Sequence, residues 1–449
     1  MWLKVITLIK NKHFLSLAGN VIMSGLALVT MVLIYHALSL TDAGVWVFFY
    51  SVLILVDTFR SGFLTTAFIK FYAGATPGRK VEVAGSAWWI GLLITGILLL
   101  ANIPAYFITP YISDYSLVLF CKWFGVSYLF SLPWFMATCV LQGEQRFDRL
   151  LYVRLVNQLT FMAGILLLYF YSSISVIGVL YAYMASNVIT STYVLIMGWT
   201  HLRSITHRTR SLVTEIANFG KFSLGTTLSS NLFRTSDTFI INFFLNKQAV
   251  AIYNLGQTLM QLVEIPLRSF AATCMPELSA AYNQNNRISV ISIMKKYTGT
   301  ISVVLVPMVI AGCLLADLPI NLIGGHKYAG TDAANVFRIF LAFALLYPAD
   351  RFFALTLDVI HQPKVNFYKV LVMLATNLLF DWLGVMVFGN IYGIAIATLF
   401  PVLVGTIIGY KALNKYCPFD VWSVYSTGYQ QVKNFINSIS NRKRSVQLL

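Results

Sequence analysis

The chain has 449 residues, 58% of them hydrophobic and only 11% charged, with a mean hydropathy of +0.74. Soluble domains run near ~25% charged residues, so this chain cannot cover a water-facing surface of its size, and a soluble globular protein is excluded. The net charge of +16 raises nucleic acid as a partner, but the basic residues follow membrane topology, which excludes that class.

Apolar segments of about spanning length recur from end to end. They predict twelve helices, near residues 14–37, 43–69, 84–104, 115–141, 155–172, 176–199, 222–244, 251–275, 298–319, 333–356, 370–388 and 391–410. The expected fold is an all-α polytopic membrane protein with both termini on one side. The start, MWLKVITLIKNKHF, is basic and runs into the first span without a small-residue cleavage site. It reads as an interfacial helix over 1–13 rather than a signal peptide.

Under this threading 24 of the 32 Lys and Arg lie in the N-terminus, alternate loops and the C-terminus. The opposite loops hold only Lys247 and Lys327. That asymmetry places both termini in the cytoplasm. The five cysteines are scattered and odd in number, and no CxxC or HExxH spacing suggests a metal, a disulfide frame or a cofactor.

Loops on both faces are short. The longest, HLRSITHRTRSLVTEIANFGK at 201–221, falls near the middle of the chain and separates two halves that resemble each other. LTDAGVWVFFYSVLILVDTFRS (40–61) aligns with LNKQAVAIYNLGQTLMQLVEIPLR (245–268) at an offset of 207, so that Asp57 meets Glu264 and Trp46 meets Tyr253. Later, ISVIGVLYAYMAS (174–186) aligns with GNIYGIAIATLFP (389–401), with Gly178 over Gly393. The expected organisation is therefore two pseudo-symmetric six-helix lobes, over 14–200 and 222–413, joined by the cytoplasmic loop 201–221. A cytoplasmic amphipathic tail over 414–449 follows, with Val432, Phe435, Ile436 and Ile439 on one face. Such repeats, with a substrate site where they meet, are a transporter architecture.

Charges inside the spans are the candidate site. On the eighth helix Asn254, Gln257, Gln261, Glu264 and Arg268 fall within an arc of about 80° at 100° per residue. The second helix carries Asp57, Arg60, Ser61 and Thr65, and the seventh Ser223, Thr226, Ser230, Arg234 and Asp237, with Asn231 nearby. Such stripes face protein or water, and they predict a polar cleft between the halves. The competing reading is structural: Asp57–Arg60 and Arg234–Asp237 at i,i+3 and Glu264–Arg268 at i,i+4 can neutralise themselves along one helix. Arginine keeps its charge when desolvated and offers a planar fork of donors that suits phosphate. Arg60, Arg234, Arg268 and Arg351 are therefore candidates for an anionic headgroup, with Asn231, Asn254, Gln257 and Gln261 for sugar hydroxyls. Lys122 and Arg338 would stand near an exit mouth. Asp57, Asp237, Glu264, Asp350 and Asp381 are candidates for pairing with the arginines or for carrying a coupling proton or sodium ion; Asp350 adjoins Arg351 and could simply be its partner. An enzyme acting on lipid-linked sugars would want catalytic groups in a sizeable outer loop. The outer acids, Asp42, Asp114 and Asp332, are widely spaced.

Nearly the whole chain resembles the polysaccharide transporter family of the MOP flippase superfamily, the O-antigen or repeat-unit flippases. The stretches that carry the likeness are VDTFRSGFLTTAFIKFYA (56–73), LQGEQRFDRLLYVRLVNQL (141–159), FGKFSLGTTLSSNLFRTSDTFIINFFLNKQAVAIYNLGQTL (219–259) and PELSAAY (276–282). The resemblance implies two six-helix lobes in a V, a cationic central cavity and alternating access. It implies a cargo of short oligosaccharide on polyprenyl pyrophosphate, the repeat unit of O-antigen, capsule or exopolysaccharide, moved to the outer leaflet of a bacterial inner membrane. Membrane lipids, a coupling ion, and polysaccharide polymerase or assembly proteins would be partners; nucleic acid would not. The family's cavity arginines carry over only where Arg60, Arg234 and Arg268 match polar-stripe positions. Related lipid II flippases have two further helices that this chain lacks. Multidrug and toxin extruders share the twelve-helix plan but usually have acidic cavities; the interior acids here nearly balance the six interior basic residues.

Overall fold

The computed structural model describes residues 12–171 and 174–447. Among them every regular element is helical: α1 (Lys12–Ala37), α2 (Leu40–Tyr72), α3 (Pro77–Ile108), α4 (Tyr115–Gly143), α5 (Phe147–Tyr171), α6 (Val176–Ile196), α7 (Arg210–Phe244), α8 (Lys247–Asn283), α9 (Arg287–Leu314), α10 (Asp317–Gly324), α11 (Ala333–Ala344), α12 (Tyr347–Val359), α13 (Pro363–Phe388), α14 (Ile391–Ala397), α15 (Leu399–Tyr416) and α16 (Trp422–Gln447).

Nine of the described helical segments are long and apolar enough to cross a membrane, α14 and α15 counting as one, and the pair α11–α12, bent by 47°, makes a tenth. The chain is a multi-pass membrane protein. Two further helices, α7 and α8, have spanning length at 35 and 37 residues but are too polar to qualify by apolarity. They carry two of the three polar stripes, and with them the twelve expected segments are all present as helices.

Short polar residues set where the helices start, and they recur between the halves. Ser39 caps α2 by accepting from the Asp42 N–H at 3.1 Å, and Asn246, 207 positions on, caps α8 by accepting from the Ala249 N–H at 2.8 Å. Ser175 caps α6 and Asn390 caps α14, 215 positions apart. Both offsets are those of the sequence alignment. Capping satisfies N–H groups left without an intrahelical partner, and a duplicated cap fixes the same helix start twice. The prolines Pro133 and Pro348 are also 215 apart. The first lies inside the continuous α4 and the second at the start of α12, beside the 47° bend.

By internal packing the chain divides into two compact units, Met1–Asn242 and Phe243–Leu449. The sequence reading places the change of lobe in the loop 201–221; packing carries nearly all of α7 with the first unit. The reason is local. Leu212 and Ile216 of α7 enter a core made by Leu64 and Phe68 of α2, Ala84 and Trp88 of α3, and Leu132 and Met136 of α4. Further along, Asn231 donates to Thr58 Oγ1 at 2.6 Å and Asn242 to Asp114 Oδ2 at 3.1 Å. Gly220 lets the helix approach so closely that a Cβ there would lie 2.6 Å from the Phe63 carbonyl oxygen.

In the second unit two helix pairs meet backbone to backbone at glycines. A Cβ on Gly393 of α14 would lie 2.1 Å from the Gly384 carbonyl oxygen of α13. One on Gly299 of α9 would lie 2.0 Å from the Val424 carbonyl oxygen, with Gly428 of α16 beside it. The expected tail is thus a helix whose first turns are packed onto α9, with Val424 buried. The side chains of Phe435, Ile436 and Ile439 lie outside the described residues, as does the expected interfacial helix over 1–13 up to residue 11; Lys12 and His13 open α1.

Candidate functional site

The three expected intrahelical pairs have three different fates. In the first unit Arg60 is 1% exposed. Its Nη2 donates to Asp57 Oδ1 at 2.7 Å and to Ser131 Oγ at 2.7 Å, and its Nη1 donates to the Tyr128 carbonyl at 3.2 Å. The guanidinium carbon lies 4.0 Å over the Tyr128 ring and 4.9 Å from that of Phe135. Arg60 is therefore packed between α2 and α4, and Asp57, with a third of its side chain exposed, is the face this pair presents outward.

On α8, Arg268 also pairs with its neighbour, Glu264, but in the open: their side chains are 58% and 41% exposed. Gln261 on the same stripe is exposed, while Asn254 and Gln257 are half-buried. The stripe thus runs from the interior near Asn254 to the surface near Arg268. Pro266 and Pro276 interrupt the backbone hydrogen bonding of α8 on either side of that arginine.

On α7 the expected Arg234–Asp237 pair does not form. Arg234 is exposed and makes no ion pair, whereas Asp237 is buried beside Ser236. The hydroxyls around them are satisfied within the helix: Thr226 donates to the Phe222 carbonyl and Ser230 to that of Thr226, each at 3.0 Å. Bonding back by one turn is how Ser and Thr survive in an apolar helix. It leaves the charged group as the residue on this face with unspent donors.

Asp350 does not pair with Arg351. Its partner is Lys369 on α13, whose Nζ lies 2.7 Å from Asp350 Oδ1 and whose side chain is 4% exposed. Arg351 is exposed and without an ion pair. The sequence threading ends the preceding loop at Lys369 and so misses it. The signal was a four-residue spacing: Lys369, Met373, Asn377 and Asp381 share the buried face of α13. Asn377 donates to Asp381 Oδ2 at 2.7 Å, and Asp381 is wholly buried. Of the residues expected near the outer end, Lys122 is exposed. Arg338 is tied down by the Cys313 carbonyl at 3.0 Å, Asn335 at 2.7 Å and Asp317.

The arrangement within each unit is therefore distinct. The first holds a sealed arginine under a half-exposed aspartate, and a bare arginine on α7. The second holds exposed arginines on α8 and α12 and a buried Lys–Asp pair behind one of them. A family model described as "Polysaccharide biosynthesis protein" matches residues 38–332, two thirds of the chain. The chain belongs to this polysaccharide biosynthesis family. Its curated relatives include the probable low-salt glycan biosynthesis flippase Agl15 of Haloferax volcanii, 21% identical over 63% of this chain; the match spans 58% of that relative's length. Solved structures that share the fold include two with TM-scores above 0.7. One is an inward-facing multidrug resistance MATE family transporter of the MOP superfamily, with a TM-score of 0.75 at 16% identity over 88% of this chain and 96% of that one. The other is the lipid II flippase MurJ in an inward closed conformation, with 0.73 at 15% identity over 94% and 92%. The family match covers α2 to α10 and so takes in both polar helices, α7 and α8.

Proposed function

We propose that this family member is a flippase that moves a glycan linked to polyprenyl pyrophosphate from the cytoplasmic to the outer leaflet, by alternating access. The observation that carries the reading is the pair of bare guanidiniums, Arg234 and Arg351, exposed without a carboxylate on membrane helices. An uncompensated charge at the bilayer centre costs from ~2.5 to more than 10 kcal/mol, and a desolvated pyrophosphate is the chemical complement of an arginine fork. Arg268, held by Glu264 in the open on α8, is a further cation that can exchange one anionic partner for another. The half-buried Asn254 and Gln257 and the exposed Gln261 supply amides for sugar hydroxyls, which avoids stranding them in hydrocarbon.

Arg60 has a different part. Its Nη donors are taken by Asp57, Ser131 and Tyr128 while Nε is buried without a partner, so this 1% exposed side chain positions Asp57 rather than meeting the cargo. The relatives' names support a glycan carrier that leaves its cargo chemically unchanged. The many basic residues in alternate loops support a cytoplasmic location of both termini. Each negative charge moved outward across an inside-negative membrane gains ~2.3 kcal/mol per 100 mV, so the potential contributes to the drive. Asp381 with Asn377 is the buried carboxylate best placed to carry a coupling proton or sodium ion in addition. A multidrug exporter for cations is the second reading, and bare arginines on exposed faces oppose it.

The test is transport in vesicles loaded with a lipid-linked glycan whose arrival outside is read by a membrane-impermeant lectin or glycosidase. Removal of Arg234, Arg268 and Arg351 together to Gln should abolish arrival. Undiminished transport by the triple variant would sink the docking role, and export of a cationic dye in place of the glycan would favour the second reading.

A further inference from the structure

We infer that the first unit holds a second anion site, at the seam of α1, α4 and α5, built for the phosphate of a lipid headgroup and centred on Arg154. A cavity of about 190 Å³ opens there, with Asn20, Gln142 and Arg154 as its polar lining and Phe147, Leu150 and Leu151 as apolar walls. No carboxylate lines it.

The three arginines at the start of α5 show why Arg154 stands apart. Arg146 forms a two-pronged pair with Asp148 at 3.0 and 2.8 Å. Arg149 lies over the Trp199 ring at 5.4 Å. Arg154 is half-buried, makes one hydrogen bond, from Nη1 to Asn20 Oδ1 at 3.2 Å, and has no ion pair. A guanidinium has five N–H donors in a fixed fork, so most of them point at nothing in the protein. Gln142 adds an amide without a side-chain hydrogen bond on the facing helix.

Depth and walls identify the ligand as lipid rather than free anion. Arg154 lies seven residues into the apolar span Phe147–Tyr171, about 10 Å along the axis at 1.5 Å per residue and so nearer to one end of the span than to its middle. Beside the mouth, α1 exposes Val21 and Ile22, at 51% and 45%, which offers acyl or prenyl chains a continuous apolar track. The volume holds about six waters at ~30 Å³ each, enough for a phosphodiester and the start of its glycerol. The same phosphate chemistry could come from a resident anionic phospholipid or from a polyprenyl phosphate, and the cavity shares no lining residue with the cargo face proposed above.

The test is native mass spectrometry of the full-length protein released from nanodiscs of phosphatidylcholine with phosphatidylglycerol, with and without added polyprenyl phosphate. Loss of a hydrogen-bonded charge contact corresponds to about a tenfold or greater drop in affinity. Arg154→Gln should therefore retain about tenfold less anionic lipid than wild type, while Arg149→Gln retains as much. Gln142→Trp, which fills the cavity and keeps the charge, should lose the lipid too, and it carries the test if Arg154→Gln fails to fold. Preferential loss of phosphatidylglycerol assigns the site to a resident lipid; preferential loss of polyprenyl phosphate assigns the same site to the carrier. Equal retention of both lipids by folded Arg154→Gln or Gln142→Trp overturns it.

Discussion

The ammonium of Lys369 sits 2.7 Å from a carboxylate oxygen of Asp350, on neighbouring helices of the second unit, with the lysine side chain 4% exposed and the aspartate 26%. A buried pair of this kind seldom beats a packed apolar pair, but removing one partner strands the other. Arg351, next along the chain, is thereby left without its neighbour's carboxylate and free to meet an anion.

Breaking the pair from the lysine side should therefore cost stability first. Lys369→Met is expected to destabilise the protein by about 3 kcal/mol, the low end for a stranded buried charge, since Asp350 keeps some exposure. Lys369→Met with Asp350→Leu should recover most of that loss. Thermal unfolding of the four proteins in detergent closes the cycle. A single variant as stable as wild type would mean that the pair holds nothing.

Arg60 should behave as a packed residue and Arg234 as a surface one. Arg60→Lys keeps the charge but gives up the fork that reaches Asp57, Ser131 and the Tyr128 carbonyl together. It is expected to lower stability by about 1–3 kcal/mol. Arg234→Gln removes an uncompensated charge from a membrane helix, so the melting temperature should hold or rise, yet glycan transport should fall severalfold. The reverse pattern would exchange their roles.

How much of this was legible in the sequence follows from what each signal measures. Hydropathy counts solvent preference along the chain, and it found the twelve segments. Capping residues are local, and Ser39 and Asn246 mark two helix starts at the offset that the duplication requires. Polar stripes at helical spacing singled out α7 and α8, which have spanning length but are too polar to qualify by apolarity. What a stripe does not record is the neighbour across the gap. Asp57–Arg60 and Glu264–Arg268 read alike, and only the presence of Tyr128, Ser131 and Phe135 on α4 seals the first. The Lys369–Asp350 pair joins residues 19 apart on two helices, and a boundary drawn one residue too late hid it. The change of unit after α7 was likewise invisible, because it depends on Leu212 and Ile216 entering a core contributed by three other helices.

If Arg351 owes its freedom to Lys369, the two should be coupled in function. Lys369→Gln leaves Asp350 without a cation and Arg351 as the nearest one in sequence. Glycan transport should fall in Lys369→Gln and return in part with Asp350→Asn, which removes the competing carboxylate. Initial rates in the vesicle assay, normalised to folded protein, read this directly. If Asp350→Asn leaves the Lys369→Gln defect untouched, Lys369 acts through packing alone.

The two aligned glycines Gly178 and Gly393 offer the sharpest contrast between what the repeat shares and what it does not. They occupy the same position in their halves, 215 residues apart, each three residues past a capping side chain. A Cβ on Gly178 would meet the Leu168 Cδ1 methyl at 3.2 Å, the far end of a side chain that can turn aside, and the Ser175 hydroxyl at an ordinary 3.5 Å. Alanine also regains about 0.5–1 kcal/mol over glycine inside a helix. The two effects oppose each other, and Gly178→Ala should change stability by less than about 1 kcal/mol in either direction. At Gly393 the same methyl would sit 2.1 Å from the Gly384 carbonyl oxygen. A backbone atom cannot rotate out of the way, so α13 and α14 must separate, and the loss should exceed about 3 kcal/mol, the upper end of ordinary overpacking. Separation there also loosens the face of α13 that buries Asn377 and Asp381. Hydrogen exchange should accordingly rise across α13 in Gly393→Ala and stay unchanged across α6 in Gly178→Ala. Similar melting temperatures for the two variants would show that the backbone contact between α13 and α14 does not exist in the folded protein.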